Sequence, residues 1–280
     1  MIQELDNQIF NQTYEPKVPR ETDMVFYFQG HGRRDDCLLL NQSDHGIIIP
    51  TIQEMKPDPN DLQYLFAIDE KHFYLYVGNQ NSMKTLHYTF QPIRTLRIGK
   101  PAAICFAGMT AYHLFTWYRD NRFCGRCGHV TQHSQTERML ACPSCGNMIY
   151  PKICPAVIIG LRKGNCLLMS RYAGREYKGN ALLAGFCEIG ETPEETVRRE
   201  VMEEVGLKVK NITYYGSQPW GFDSNLLLGY FADVDGDDTI RLDRQELACA
   251  EFIERDKIPY EANRISLTAT MMEEFRLGNW

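Results

Sequence analysis

The sequence predicts an α+β fold in three consecutive parts, and three observations support this. Short apolar runs separated by polar turns fill residues 1–100 and are typical of strands. Two cysteine pairs follow within residues 121–150, and a strongly capped helix lies among apolar strands in residues 151–280. We therefore expect a β-rich domain over residues 1–120 that ends in a helix, a cysteine-rich module over 121–150, and a third domain over 151–280.

Composition limits the class of protein. The chain has 280 residues, 44% of them hydrophobic, and a net charge of −6, so it offers nucleic acid no general electrostatic attraction. Residues 1–20 carry acidic side chains before any apolar run, which is unlike a secretory signal. The longest apolar stretches fall far short of the roughly 20 residues that cross a bilayer as a helix. We expect a soluble, cytoplasmic protein without a membrane segment.

The first domain combines predicted strands with one helix. Apolar or alternating runs at residues 24–28, 37–40, 73–77 and 88–93 predict strands. In residues 101–120 the side chains of Ala107, Ala111, Leu114 and Tyr118 recur at spacings of three and four, which predicts a helix with one apolar face. We identify no catalytic motif in this domain.

Ten cysteines allow either disulfides or metal binding, and their spacing favours metal. The pairs Cys124–Cys127 and Cys142–Cys145 are each CxxC and are separated by fourteen residues, a strong tetrahedral zinc signal. Four thiolates leave no position for water, so we expect one structural Zn²⁺ per chain in a zinc ribbon. The alternative is a pair of CxxC turns without metal. His129 lies nearby and, like His133, is expected at the surface.

The third domain begins with a predicted strand at residues 156–160, a turn at 163–165 and a second strand at 166–170. A helix should begin at Pro193, because Thr192 can cap it with Glu195 as the capping-box partner. It should end at Gly206, the usual residue of a left-handed cap. Gly190 and Gly185 should let the preceding loop fold back sharply.

The predicted helix carries three carboxylates on one face. Glu200, Glu203 and Glu204 fall within an arc of about 100°. Carboxylates this close repel each other unless a cation binds, and hard oxygen ligands suit Mg²⁺ or Mn²⁺. Such a metal could bridge to phosphate oxygens and activate water, so the segment indicates a hydrolase of diphosphate-containing substrates. An acidic surface helix without metal is the alternative.

Residues 185–207 resemble the Nudix box, GX5EX7REUXEEXGU, at every fixed position. The resemblance implies a Nudix α/β/α sandwich, with Arg199 paired to Glu191. It also implies metal ligation by the carbonyl of Ala184 and by the glutamates of the REUXEE segment, with Glu203 or Glu204 as the base. By position, Glu246 is similar to a further metal ligand of the family.

Residues 217–225 resemble SQPWPFPxS, the signature of NADH pyrophosphatases, with Gly221 and Asp223 in place of prolines and Asn225 in place of serine. The domain order agrees with that family. The resemblance implies that this loop contacts substrate through Gln218, Pro219, Trp220, Gly221, Phe222, Asp223, Ser224 and Asn225.

Four positions outside that loop also resemble ligand contacts of the family. Tyr150 and Phe186 match an aromatic pair that stacks on adenine, and Arg94 and Thr268 match looser substrate contacts. Without the Nudix box, the two aromatic residues would more often belong to a core, and Trp220 could simply anchor its loop by packing.

The resemblance implies hydrolysis of the diphosphate bond of NAD(H) to AMP and nicotinamide mononucleotide by a homodimer. The family acts on free dinucleotides and on NAD caps at RNA 5′ ends. One alternative is a Nudix hydrolase of another dinucleotide or of a nucleoside diphosphate sugar, favoured if the altered loop does not hold nicotinamide. A second alternative is a zinc-ribbon regulator that binds nucleic acid.

Overall fold

The computed structural model describes residues 1–32, 35–78, 87–174, 179–260 and 264–280. These residues form two compact units. The N-terminal unit contains Ile2–Lys152 together with Trp220–Ser224, and the C-terminal unit contains Met1, Ile153–Pro219 and Asn225–Trp280. Within the described ranges, none of the helices is both long enough and apolar enough to span a bilayer.

Two small sheets confirm that the N-terminal unit is rich in strands. One sheet has the strand order β1-β6-β7-β2, and the other has the order β3-β4-β5 with β8 added to β4. The strands are β1 (Phe10–Asn11), β2 (Met24–Phe26), β3 (Phe28–Gln29), β4 (Cys37–Ser43), β5 (Gly46–Ile48), β6 (Leu62–Ile68), β7 (Lys71–Tyr76) and β8 (Thr89–Pro92). Helix α1 (Ile52–Met55) and 3-10 helices at Pro59–Asp61 and Ile93–Ile98 connect them.

Aromatic side chains fill the core of the first sheet. The rings of Phe26 and Phe73 stack with centroids 5.7 Å apart, and Phe66 lies 5.3 Å from Phe73. All three side chains are at most 2% exposed. Burial of such large rings contributes much of the stability of a small sheet.

Helix α2 (Ala102–Asp120) confirms the predicted helix, but its burial differs from the prediction. Ala107, Ala111 and Leu114 are buried as expected. Cys105, Gly108 and Tyr112 on other sides of the helix are buried as well. The expectation of a single apolar face was therefore wrong. A helix buried on several sides does not show a clean 3.6-residue alternation of polar and apolar residues, because few of its positions meet water.

The cysteine-rich module forms a three-stranded sheet with the order β11-β10-β9. Its strands are β9 (Gln132–His133), β10 (Leu140–Ala141) and β11 (Met148–Ile149). Arg138 anchors it within the N-terminal unit, because its guanidinium donates to the carbonyls of Gln12 and Leu65 and lies 5.1 Å from the Tyr14 ring centroid. These contacts compensate for the small size of the module.

The C-terminal unit is built on a six-stranded sheet with the order β15-β16-β12-β13-β17, in which β14 also pairs with β12. Strands β12 and β16 run parallel, whereas β13 and β14 run antiparallel to β12. The strands are β12 (Cys154–Lys163), β13 (Cys166–Tyr172), β14 (Leu183–Phe186), β15 (Val209–Trp220), β16 (Asn225–Val234) and β17 (Leu247–Glu254). Both predicted strands are present, and each is longer than predicted.

Two helices cover opposite faces of this sheet, which confirms the expected sandwich. Helix α3 (Pro193–Val205) packs Val197, Val201 and Val205 into a core that contains Tyr230 of β16. A β-carbon on the adjacent residue, Gly229, would instead meet Met271 and Leu267 of α4 (Leu267–Arg276). Neighbouring residues of a strand face opposite sides, so α3 and α4 lie on different faces. Helix α3 also contacts β14, and Nη2 of Arg199 in the helix donates to the carbonyl of Phe186 at the end of that strand.

Candidate active site

The ends of α3 are fixed by the residues that the sequence indicated. Thr192 accepts a hydrogen bond from the backbone N–H of Glu195, and the Glu195 carboxylate accepts one from the N–H of Thr192, which completes the capping box. Pro193 occupies the first helical position, and Gly206 follows the helix with φ of 70°. Both ends therefore have defined positions, and so do the carboxylates between them.

Arg199 connects the loop, the helix and the sheet. Its guanidinium binds both oxygens of Glu191, with Nε–Oε1 at 2.7 Å and Nη2–Oε2 at 2.9 Å. Its Nη1 lies 2.7 Å from Glu200 Oε1 and 3.0 Å from Glu203 Oε2. Nη2 also donates to the carbonyl of Phe186 at the end of β14. One planar cation thus holds three carboxylates and one backbone carbonyl in a fixed arrangement.

Glu191 has further partners that close the loop before α3. Its Oε2 accepts hydrogen bonds from the backbone N–H of Glu188 and from the hydroxyl of Thr196. The Arg199 guanidinium and these donors lower the pKa of Glu191 from 4.5 to about 2. Gly190, with φ of 96°, makes the turn that brings Glu191 back toward the helix. The loop is therefore held by an ionised carboxylate at neutral pH.

Gly185 serves a purpose that the sequence did not indicate. Its φ is outside the left-handed region, and it pairs with Val157 in the sheet, so it does not make a sharp turn. A β-carbon at this position would lie 1.8 Å from the Glu200 Cδ atom. The expectation that Gly185 folds the loop back was wrong. The absence of a side chain instead makes room for the Glu200 carboxylate.

The carboxylates of the proposed metal site occupy different environments. The side chain of Glu200 is 12% exposed, that of Glu203 is 58% exposed, and Glu204 as a whole is 2% exposed. Burial raises the pKa of Glu200, and the charges of Glu203 and Glu246 raise it further, while Arg199 opposes them. Glu246 is exposed just before β17. Ala184 lies in β14 opposite Ile158.

These acidic groups offer the oxygen donors that a hard divalent cation requires. Burial and then the charges of Glu203 and Glu246 raise the pKa of Glu200, and a bound cation would offset both effects. Among the described residues, only the four cysteines bring three or more ligand atoms within 4.8 Å of one another, so the glutamates are held by Arg199 and not gathered around a single point. The chemistry of these oxygen donors fits a divalent metal, whereas the positions of Glu200 and Glu203 in this structure are set by their ion pairs with Arg199.

The four cysteines converge as the zinc spacing predicts. The Sγ atoms of Cys124, Cys127, Cys142 and Cys145 all lie within 4.8 Å of one another. The N–H of Arg126 donates to Cys124 Sγ at 3.4 Å and lowers the pKa of that thiol. All ten cysteines of the chain fall within the described ranges, and all are free of disulfides. Four sulfurs in this arrangement fit a closed, structural zinc site.

The two aromatic residues proposed to stack on adenine are exposed. Tyr150 is 55% exposed in the N-terminal unit, and Phe186 is 52% exposed in the C-terminal unit. The alternative that they are core aromatics was wrong. The hydroxyl of Tyr150 donates to Glu137 Oε2 at 3.0 Å, and this bond raises the pKa of Tyr150. Exposed aromatic faces of this size are available to a flat base.

Gln218 is wholly buried and its amide binds backbone on both sides. Nε2 donates to the carbonyl of Ile265, and Oε1 accepts from the N–H of Leu267, at 2.8 and 2.7 Å. These bonds fix the end of β15 to the start of α4, which also carries Thr268 in its first turn. Asn225 begins β16 and is 9% exposed.

The segment Trp220–Ser224 belongs to the N-terminal unit. The rings of Trp220 and Phe222 meet edge to face at 5.1 Å. Arg97 lies over both rings, with its Cζ 5.3 Å from the Trp220 centroid and 5.1 Å from the Phe222 centroid. Arg97 was missed by the sequence reasoning, which selected the exposed Arg94 three residues earlier. Arg97 belongs to the 3-10 helix Ile93–Ile98. Nothing local in the sequence indicates that this helix contacts a loop more than a hundred residues further along the chain.

The rest of that segment is exposed to different degrees. Pro219 is exposed at the end of β15, and Asp223 and Ser224 are half-buried. Ser224 has φ of 59°, in the left-handed region. The segment therefore makes a tight turn before β16 begins.

Comparison with known proteins agrees with these features. Residues 152–273 match the NUDIX domain, and residues 119–150 match the NADH pyrophosphatase zinc ribbon domain. The NAD-capped RNA hydrolase NudC of Enterobacter sp. (strain 638) is 42% identical over 146 residues, which cover 52% of this chain and 56% of that protein. NudC of Haemophilus influenzae (strain PittGG) is 41% identical over 143 residues, 50% of this chain and 53% of that protein.

A NUDIX hydrolase of known structure from Nitrosomonas europaea is 22% identical, covering 56% of this chain and 93% of its own with a TM-score of 0.47. The chain spans about half the length of the curated relatives that it matches. The capping box, the Arg199 contacts and the four-cysteine site all lie inside the two matched domains. This chain therefore carries a NUDIX domain at residues 152–273, preceded by an NADH pyrophosphatase zinc ribbon domain at residues 119–150.

Proposed function

We propose that this protein hydrolyses the diphosphate bond of NAD(H) and releases AMP and nicotinamide mononucleotide. The single observation that carries the proposal is the Arg199 guanidinium, which binds Glu191, Glu200 and Glu203 at 2.7 to 3.0 Å beside the end of β14. A fixed set of carboxylates can hold the divalent cation that metal-assisted phosphoryl chemistry requires. The zinc ribbon domain and the relatives named NAD-capped RNA hydrolase support the choice of substrate.

The residues of the C-terminal unit have separate parts in this chemistry. Glu200, Glu203, Glu204 and Glu246, with the carbonyl of Ala184, would hold Mg²⁺ or Mn²⁺. A divalent cation bound there would neutralise phosphate charge and lower the pKa of water. Arg199 and Glu191 hold the loop in place, and Glu203 or Glu204 accepts the proton of the attacking water. Glu203 suits that role because more than half of its side chain is exposed.

The substrate residues divide by the half of the dinucleotide that they contact. Tyr150 and Phe186 contribute exposed rings for adenine, and Trp220 with the loop to Asn225 contacts the nicotinamide half. Gln218 positions that loop, since both of its amide atoms bind backbone. Arg94 and Thr268 are proposed as peripheral contacts. The same site would accept an NAD cap on an RNA 5′ end, and we propose a homodimer as the assembly.

A substrate panel tests the proposal. We expect kcat/KM for NADH and NAD⁺ to exceed that for ADP-ribose and for a nucleoside diphosphate sugar, with activity dependent on Mg²⁺ or Mn²⁺. Equal efficiency with ADP-ribose would favour the broader dinucleotide hydrolase. Tight RNA binding without turnover would favour a regulator. Light scattering on the same preparation tests the homodimer, and comparison of Mg²⁺ with Mn²⁺ identifies the preferred metal.

A further inference from the structure

The loop from Trp220 to Ser224 is seated on helix α2. A β-carbon on Gly221 would lie 2.4 Å from the carbonyl oxygen of Met109 and 3.1 Å from Cβ of His113, so the loop backbone is in direct contact with the helix. Phe222 is 6% exposed in this position. The glycine that replaces the proline of the family signature is therefore required by this close approach, and the loop backbone is held in place.

Arg97 reaches the same loop from a second anchored element. The preceding residue, Leu96, is wholly buried, and a β-carbon on Gly108 of α2 would lie 2.9 Å from both of its δ carbons. The 3-10 helix Ile93–Ile98 thus packs directly on α2, which fixes the backbone at Arg97. The loop and the 3-10 helix that carries Arg97 therefore both pack on helix α2.

The contact between Arg97 and the rings is of the cation–π type. Both centroid distances, 5.3 Å to Trp220 and 5.1 Å to Phe222, fall within the roughly 6 Å over which a cation is attracted to an aromatic face. Phe222 is buried, whereas Trp220 is partly exposed. A guanidinium that contacts both rings stabilises the indole beside the buried Phe222 ring, and part of the indole remains exposed to solvent.

We propose that Arg97 is a positioning residue that fixes the Trp220 indole and thereby sets the preference for nicotinamide-containing dinucleotides. The inference rests on the proposed function, because it assigns Trp220 to the nicotinamide half of the substrate. Arg97 acts through Trp220 and not on the reacting phosphates. Its loss therefore affects NADH more than ADP-ribose, which carries the same adenosine diphosphate but no nicotinamide.

A double-mutant cycle tests the proposal in the full-length protein. The variants are Arg97→Gln, Trp220→Ala and the pair, and the readout is the ratio of kcat/KM for NADH to that for ADP-ribose. Arg97→Gln should lower this ratio about threefold to tenfold, the range of a partly exposed cation–π contact. In the Trp220→Ala background, the same change should leave the ratio unaltered, because the two residues act through one contact.

Two further variants separate positioning from general structure. Arg97→Lys keeps the cation and should restore part of the ratio. Arg122→Gln removes another exposed arginine–aromatic contact, with Phe123 in the ribbon, and should leave the ratio at the wild-type value. Additive effects in the cycle, or equal losses for both substrates in Arg97→Gln, would overturn the role of Arg97 while leaving the proposed function intact. Absence of NADH turnover by the wild type would overturn both.

Discussion

The Glu200 carboxylate lies so close to the α-carbon of Gly185 that a methyl group there would be 1.8 Å from Glu200 Cδ. Strand β14 and helix α3 are in contact at this point, and the contact places the glutamate against the sheet. Gly185→Ala must therefore displace either Glu200 or the strand. Displacing Glu200 is costly because Arg199 also holds its carboxylate. We expect kcat/KM to fall about tenfold to a hundredfold, since a displacement near 1 Å can cost that much.

A matched glycine provides the control for this prediction. Gly216 lies in strand β15 of the same unit, and a β-carbon there would meet nothing within 4 Å. Gly216→Ala should therefore keep wild-type kinetics. Wild-type kinetics in Gly185→Ala as well would show that Glu200 can move without consequence, against its assignment to the metal site.

Glu191 should contribute stability that depends on pH. Its folded pKa is lowered from 4.5 to about 2, so its contribution is fully present above 4.5 and is lost as the pH falls from 4.5 toward 2. The difference in thermal midpoint between wild type and Glu191→Gln should be constant near neutral pH and should shrink over that acid range. Acid also weakens zinc binding, but it does so equally in both proteins, so the difference between their midpoints reports on residue 191 alone. A difference that grows on acidification would have the wrong sign for this ion pair.

The zinc ribbon should depend on each of its ligands. Cys124→Ser removes one of four sulfurs, and structural zinc supplies about 10 kcal/mol or more of folding energy to small modules. We expect zinc content to fall from one per chain to near zero and proteolysis to begin within residues 121–150. Cys249→Ser, outside the cluster, should retain zinc. Full zinc content in Cys124→Ser would remove that cysteine from the site.

Phe186 should contribute binding energy for adenine. Its ring is 52% exposed, so Phe186→Ala should leave the fold intact. Loss of one stacking partner should weaken binding of NADH and of ADP-ribose alike, by about 1 to 3 kcal/mol. Binding measured by calorimetry with Ca²⁺ in place of the catalytic metal tests this. An effect on NADH alone would place the ring near nicotinamide instead.

The parts of the structure that depend on local sequence could be predicted from it. The capping box of Thr192 and Glu195, the end of α3 at Gly206 and the four-cysteine site all involve residues close in sequence or at fixed spacing. Their geometry follows from backbone rules that act over a few residues. The resemblance to the Nudix box then located the pairing of Glu191 with Arg199, which the structure also contains.

The parts that depend on distant packing could not be predicted. The need for Gly185 comes from its close approach to the Glu200 side chain of helix α3, and the binding of Gln218 to Ile265 and Leu267 spans more than forty residues. The position of Arg97 over Trp220 likewise depends on where α2 places two separate segments. Residue propensity and motif spacing do not predict such contacts, because the contacts form only when the elements pack against one another.

The products of the reaction test most directly whether the Arg199 and glutamate arrangement cleaves the diphosphate bond of NADH. Mass spectrometry after incubation with NADH and Mg²⁺ or Mn²⁺ should find AMP and reduced nicotinamide mononucleotide in equal amounts. In water enriched in ¹⁸O, one of the two phosphates should carry the label. Glu203→Gln, a change at a largely exposed side chain, should abolish both products while the fold survives. Release of nicotinamide with ADP-ribose, or unchanged NADH with either metal, would contradict the account.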